Sequence, residues 1–453
     1  MTTLRLAGHQ VALSPRLAYR AARAEVLRTP RVLRAWYALL LLLMAFGAVA
    51  AALTIPPGSE VFGTTPSFEW GILIAAYVFF AITTSGLCLG SSLGTVFGID
   101  MFRPLEKRHA ILALLSLVTA FGIIALDLHY PVRLVFGAVF NPSLTSPMWW
   151  MGAFYAAYLV FLMVEVWSMF SGHDHIHRYA CLASSCTAIF APATLGAVFG
   201  VIAARPYWSG AFTPITMVVT ALVAGSALLG IVFYVVSRLQ LAGFERGRRL
   251  AVPAVRLLLA VGLVGSLLLL ARQLLAGVTS EDAAFRVTTM ALLDGPLAVP
   301  FWVRLVGGLV IPLALLALPR TRTIGGTAVA AALAFVGVVI DRLFFVMAGQ
   351  LVPTRVIGGP ASGASAVYTP SLVEIGIVVA AFAFVAFMYT LAERYLDLRE
   401  AEVHVAFHLP NFVVAPGRRL ATRLVTRLAA RRATHEVAPE PLGPAAGSAG
   451  GEA

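Results

Sequence analysis

Within the apolar runs of this chain, the groups able to move a proton are few. Glu165 lies well inside one run, and Glu69, Asp127, Asp341 and Glu374 lie at the ends of four others. A carboxylate among apolar residues is costly unless it is paired, protonated or functional, so chemistry is sought first at these five positions. His129, Arg133 and Arg205 stand in connections between runs, while Trp70, Tyr155 and Tyr158 add rings and hydroxyls. Acid, imidazole, guanidinium and phenol beside apolar surface suit a molecule with a polar redox head and a greasy tail. A quinone has this form, since each carbonyl takes a donor and each proton needs a nearby acid–base group. The plain alternative for any one end residue is that it caps a helix at a membrane interface, where charge costs little.

Other chemistries have less support. Cys88, Cys181 and Cys186 form no CxxC pair and lie in apolar runs, which speaks against a disulfide framework, a zinc site or an iron–sulfur site. None of the nine His lies near the middle of a run, so paired axial haem ligands are missing. His173, Asp174, His175 and His177 resemble a metal tract, but they read as a short solvated loop, and no metal is expected. Neither GxGxxG nor a Walker motif occurs. Gly86, Gly90, Gly94 and Gly98 give one run a face without side chains, read as a close helix contact or, more sharply, a slot for a quinone tail. Pro192, Pro214 and Pro312 are candidate kinks.

The elements that position these groups follow from composition. The chain has 453 residues, 60% hydrophobic and 12% charged, with a mean hydropathy of +0.88. A soluble domain carries about a quarter charged residues, so a soluble enzyme is excluded and a polytopic membrane protein remains. A span needs about 20 apolar residues, and such runs fall near 34–54, 69–97, 108–128, 149–170, 179–203, 211–237, 252–275, 299–319, 324–348 and 371–395. With ten spans, 25 of the 33 Lys and Arg residues fall on one side and 6 on the other, with Arg256 and Arg304 inside spans. The positive-inside rule then puts both termini in the cytoplasm. This alternation brings Glu69, Asp127, Asp341 and Glu374 to one outer level and leaves Glu165 in the half nearer the cytoplasm.

The net charge of +12 is therefore topological and does not suggest nucleic acid. Residues 1–33 read as a basic cytoplasmic tail without a cleavable signal, and 34–398 as the transmembrane domain. Within 399–435, Arg419, Arg423, Arg427 and Arg431 beside Leu420, Leu424 and Leu428 read as a basic amphipathic segment on membrane lipid. Residues 436–453 read as a disordered tail.

Several stretches together resemble the NrfD/polysulphide reductase membrane-subunit family, in its longer, ten-span branch. They are EWGILIAAYVFF (69–80), ALDLHYPVRLVFGAVFNPSLTSPMWWM (125–151), ATLGAVFGVIAARPYWSGAFTPI (193–215), IDRLFFVMAGQ (340–350) and YTPSLVEIGI (368–377). The resemblance implies an all-α, haem-free integral subunit without its own cluster, built as two four-helix bundles plus flanking helices. It implies a quinone or quinol site near the outer face, with menaquinone or ubiquinone as substrate. It also implies an iron–sulfur partner subunit attached to a molybdopterin or other catalytic subunit, in the bacterial inner membrane. Asp127 stands in the family's Asp-Leu element, Arg133 at its Arg and Glu374 in its Pro-x-x-x-Glu. His129 and Tyr130 depart from the Gly and polar residue that the pattern carries, and Asp341 stands where relatives often have a neutral polar residue.

The leading expectation is a quinone-binding membrane subunit of a respiratory oxidoreductase, an enzyme only as part of a complex. Asp127, His129, Arg133, Glu69, Tyr155 and Tyr158 are its candidate quinone-binding residues, and Glu165, Asp341 and Glu374 its candidate proton carriers. The alternatives are a secondary transporter of a small anion, which calls for binding groups at the midplane on interrupted helices, and a plain anchor without a redox role.

Overall fold

The structure, a computed structural model, describes residues 3–6, 9–12, 30–54, 61–65, 68–99, 101–102, 106–128, 142–238, 244–295, 297–351, 368–396 and 398. His129, Arg133, the amphipathic segment and the tail at 436–453 lie outside the described residues. Apart from a small antiparallel hairpin, β1 (Thr3–Leu6) with β2 (His9–Ala12), the elements among the described residues are helical.

Among the described residues, ten helices are long and apolar enough to cross a membrane. In chain order they are α1 (Arg31–Ala52), α2 (Ile72–Thr95), α3 (Glu106–Asp127), α4 (Pro147–Ser171), α5 (Asp174–Gly200), α6 (Phe212–Arg238) and α7 (Phe244–Val278). After the short α8 (Ala283–Leu293) come α9 (Ala298–Ala317), α10 (Ile324–Ala348) and α11 (Leu372–Tyr395). Asp282 caps α8, its carboxylate accepting from the N–H groups of Ala284 and Phe285. With the apolar part of α7 taken as Val252–Val278, every span boundary falls within five residues of the matching hydropathy run. The largest difference is the start of α5, which begins at Asp174 and not at residue 179. An acid in the first turn favours that earlier start, and it draws His175 and His177 into the helix.

The contacts among helices form two closed sets. In the first, α2 packs on α3, α3 on α4, α4 on α5 and α5 back on α2. In the second, α6, α7, α9 and α10 close in the same order, while α11 lies across α3 and α2 and carries α1 on its outside. Burial follows this plan: 83% of the apolar window of α2 is buried but only 17% of that of α1, so α2 is the central element and α1 a peripheral one. The two sets meet where α2 crosses α6. A Cβ on Gly86 would strike the backbone carbonyl of Ala221, and one on Gly225 the backbone at Gly86 and Leu87. The glycine face of α2 thus serves a backbone-to-backbone contact at Gly86. At Gly90 it faces the His109 ring.

α9 is irregular. Its middle, Val303–Val310, is π-helical between α-helical turns at Ala298–Trp302 and Ile311–Ala317. Pro312 has no N–H to give the carbonyl four residues back, and a locally widened turn is one way a helix absorbs that loss. The widened stretch carries Arg304 inward, where it is 8% exposed.

Candidate functional site

Glu165, 2% exposed, is held by groups from neighbouring helices. Its carboxylate accepts a short hydrogen bond from the Ser184 hydroxyl of α5. The Cys88 thiol of α2 approaches the same hydroxyl at 3.7 Å. Above them, the Tyr158 hydroxyl donates to the Thr84 carbonyl at 2.9 Å, and the Thr84 hydroxyl donates to the Ala113 carbonyl at 2.8 Å. Below, the His177 ring places Nδ1 3.3 Å from both the Glu165 carbonyl and the Ser168 hydroxyl, and Nε2 2.7 Å from Glu106 Oε1. Ser92 and Ser185 hydroxyls meet alongside at 2.5 Å. The first set of helices therefore encloses a ladder of ionisable and hydroxyl groups reaching from the start of α3 past the middle of α4. Tyr155 continues it, 2% exposed, with its hydroxyl buried beside Tyr77 and Ser85.

Two sequence expectations change here. His177 is not part of a solvated loop: it is 8% exposed and turned into the helices, while His173 stacks on Trp167 at 5.1 Å. Once α5 is taken to start at Asp174, positions 177, 181, 184, 185 and 188 fall on one helical face, which is the sequence signal for the partners of Glu165. Tyr155 and Tyr158 belong to the interior of the first set, apart from the carboxylates at the helix ends.

The four end carboxylates have different surroundings. Glu374, 1% exposed, starts α11 in a capping box with Ser371; its Oε2 accepts from the N–H groups of Gly63 (2.9 Å) and Ser371 (2.8 Å). Its Oε1 accepts from the Tyr368 hydroxyl at 2.7 Å, and that hydroxyl accepts from Ile72 N–H at 2.8 Å. Asp127, half-buried at the end of α3, lies within electrostatic reach of both Glu374 and Tyr368. Burial, followed by the carboxylates of Glu374 and Asp127, pushes the Tyr368 phenol far above its ordinary range, so it stays a proton donor. Tyr368 stacks on Phe68 with ring centres 5.0 Å apart. Its hydroxyl-bearing side closes an otherwise apolar cavity of about 130 Å³ between α2 and α10, lined chiefly by Ile72, Ala75, Leu343, Val346 and Met347. Tyr368 is not among the residues the sequence singles out, although YTPSLVE spells out its spacing to Glu374.

Glu69 is exposed and faces Arg205, whose guanidinium is pushed below its usual range by partial burial and partly restored by Glu69. Trp70 is fixed beside it: Gln350 accepts from its N–H at 3.0 Å and donates to its carbonyl at 2.9 Å, and its ring stacks on Trp208. Asp341 occupies a separate cluster. It is 6% exposed and bridges Arg304 of the π-helical stretch and its own neighbour Arg342, the latter 1% exposed. Arg342 also donates to the Met217 sulfur at 2.7 Å, and Arg304 Nε is buried without a partner. Burial, offset by the two guanidiniums, pushes the neighbouring Tyr207 phenol up to about 12. Asp341 is thus the shared counterion of two arginines, and is far better tied than an open carboxyl poised to exchange protons.

Comparison with known proteins agrees with this architecture. A family model described as polysulphide reductase, NrfD, matches residues 60–354, which takes in α2 through α10. The chain is 22% identical over 415 residues to the C subunit of the selenate reductase of Mesobacillus selenatarsenatis, covering 82% of this chain and 96% of that one. It is 23% identical over 383 residues to the Hdr-like menaquinol oxidoreductase integral membrane subunit of Archaeoglobus fulgidus, covering 80% and 93% respectively. With ten apolar helices and a family match over more than half its length, the chain belongs to the NrfD polysulphide reductase family of multi-pass membrane proteins.

Proposed function

We propose that this chain is the quinone-reactive membrane subunit of a respiratory oxidoreductase, passing electrons between the membrane quinone pool and a partner iron–sulfur subunit. Its two helix sets are the two four-helix bundles of that subunit, set in a bacterial inner membrane with both termini cytoplasmic. The observation that carries the reading is the meeting of Asp127, Tyr368 and Glu374 beside an apolar cavity, at the end of the helices that the charge count assigns to the outer face. The names of the relatives, a reductase subunit and a menaquinol oxidoreductase membrane subunit, support the same reading.

The residues fit such a substrate: a flat ring needs an apolar slot, and its oxygens need a donor and a base. A bound quinol would supply two electrons and two protons. Tyr368, held by Ile72 N–H on one side and Glu374 on the other, orients a hydroxyl at the cavity wall. Glu374 is already engaged by three donors, which leaves Asp127 as the carboxylate that takes a proton. His129 and Arg133 follow Asp127 in sequence and would complete the headgroup contacts, while Glu69 with Arg205 guards the outer approach. Glu165 and its ladder lead protons toward the Glu106–His177 end. The catalytic subunit, of molybdopterin type or another, lies beyond the iron–sulfur partner.

The test is turnover of the purified complex carrying Asp127→Asn or Tyr368→Phe. Quinol-linked activity should fall while activity with an artificial electron acceptor at the catalytic subunit persists. Full quinol-linked turnover in both variants refutes the site. A second reading, a transporter of a small anion, is favoured by the buried net positive charge of Arg304, Arg342 and Asp341. Uptake of labelled anion by vesicles holding the chain alone would decide for it.

A further inference from the structure

At the start of α3 and the first turns of α5, three different metal-ligating groups converge: Glu106, His177 and Cys181, all ligand atoms within 4.8 Å of one another. We propose that these three side chains form a binding site for a divalent transition ion of the zinc class, at the Glu106 end of the Glu165 ladder.

The spacing is the first argument. Cys181 Sγ lies 3.5 Å from His177 Nε2. With Zn–N near 2.0 Å and Zn–S near 2.3 Å, a tetrahedral ion sets those two atoms roughly 3.5 Å apart, so the pair already has its bound separation. Glu106 Oε1 lies 2.7 Å from the same nitrogen, in a hydrogen bond. It must withdraw by roughly 0.6 Å to reach the tetrahedral edge. Glu106 can do so, because it is the first residue of α3 and only half-buried, whereas His177 and Cys181 are fixed one turn apart on one face of α5.

The orientation of the imidazole is the second, independent argument. Nδ1 sits 3.3 Å from the Glu165 carbonyl, an acceptor that fixes the N–H on Nδ1 and leaves the lone pair of Nε2 facing Cys181 and Glu106. A backbone carbonyl holding the remote ring nitrogen is the usual support behind a metal-bound histidine. A thiolate, an imidazole and a carboxylate suit zinc rather than magnesium or calcium, and three protein ligands leave a fourth position for water. The chain has two further free cysteines, Cys88 and Cys186, which allow the assignment to be tested against them.

The experiment titrates the purified full-length chain in detergent with Co²⁺ as the optical probe. A thiolate-to-cobalt charge-transfer band should rise to an end point of one ion per chain and vanish on adding Zn²⁺. Cys181→Ser should abolish the band and Glu106→Gln should weaken binding, while Cys88→Ala and Cys186→Ala should keep it. His177→Gln, which folds or fails independently of any thiol change, should also lose it. Elution of Cys181→Ser at the wild-type volume on size exclusion shows that loss of the band is not loss of the fold. No thiolate band in the wild type, or one that survives Cys181→Ser, overturns the proposal. The readout needs no quinone, so its failure is separate from failure of the quinone reading.

Discussion

Replacing Asp341 by Asn removes the one carboxylate between two buried guanidiniums. In the native protein Asp341 is 6% exposed and contacts Arg304 from α9 and Arg342 from its own helix, so the cluster carries two positive charges and one negative. The Asp341→Asn amide would keep the shape and lose the counterion, leaving two like charges facing each other away from water. Breaking a buried ion pair by removing one partner costs about 3–5 kcal/mol, or roughly two to nearly four decades in the unfolding equilibrium constant. Buried cysteines supply the assay: in a Cys186→Ala background, Cys88 and Cys181 react with a fluorescent maleimide only when the helices separate. Labelling against increasing denaturing detergent should show a large loss of stability for Asp341→Asn. The double variant Arg304→Gln, Asp341→Asn, which restores the native net charge of the cluster, should regain at least half of it. If Asp341→Asn is as stable as wild type but loses only proton-linked turnover, Asp341 is a proton carrier and the counterion argument is wrong. If the double variant is no better than the single, the two arginines do not depend on Asp341 in the way the geometry requires.

Glu165→Gln keeps an acceptor for Ser184 but removes a transferable proton, so quinol-linked turnover should fall by roughly 10²-fold or more with unfolding unchanged; wild-type rates would show that the ladder carries no protons. Gly86→Ala drives a methyl into the Ala221 carbonyl and should destabilise by about 1–3 kcal/mol, while Gly122→Ala, with open space around its Cβ position, should be near neutral by the same labelling assay. Glu374→Gln weakens the charge-assisted bonds from Gly63, Ser371 and Tyr368, and should loosen the start of α11, read as faster amide exchange at Glu374 and Ile375. Equal exchange in the two proteins would show that the cap does not hold that end.

How much of this is legible in the sequence depends on range. Span number and limits come from local apolar length, which the bilayer dictates directly, and they match the helices to within a turn or so. Glu165 is visible as an expensive group, but its partner Ser184 sits nineteen residues away on another helix, and no local pattern reports such a contact. Hydropathy alone starts α5 five residues late and so leaves His177 in a loop; near a terminus, that shift decides whether a side chain faces water or protein. Asp341 beside Arg342 is visible as a pair, yet Arg304 joins them only because the irregular turn before Pro312 aims it inward. The charge alternation gives Asp127, Glu374 and Asp341 one level, but only the first two come within electrostatic reach of each other, because depth does not give neighbours around the ring of helices.

The crossing at Gly86 and Gly225 has a mechanical consequence. With no side chain between α2 and α6 there, the two helix sets have no lubricating layer of rotamers along which to slide, and any rocking of one against the other would open a dry gap between main chains. The halves are in effect welded at this point, so whatever passes from one face of the membrane to the other travels inside a set, by short hops between side chains, and does not wait for a hinge to swing.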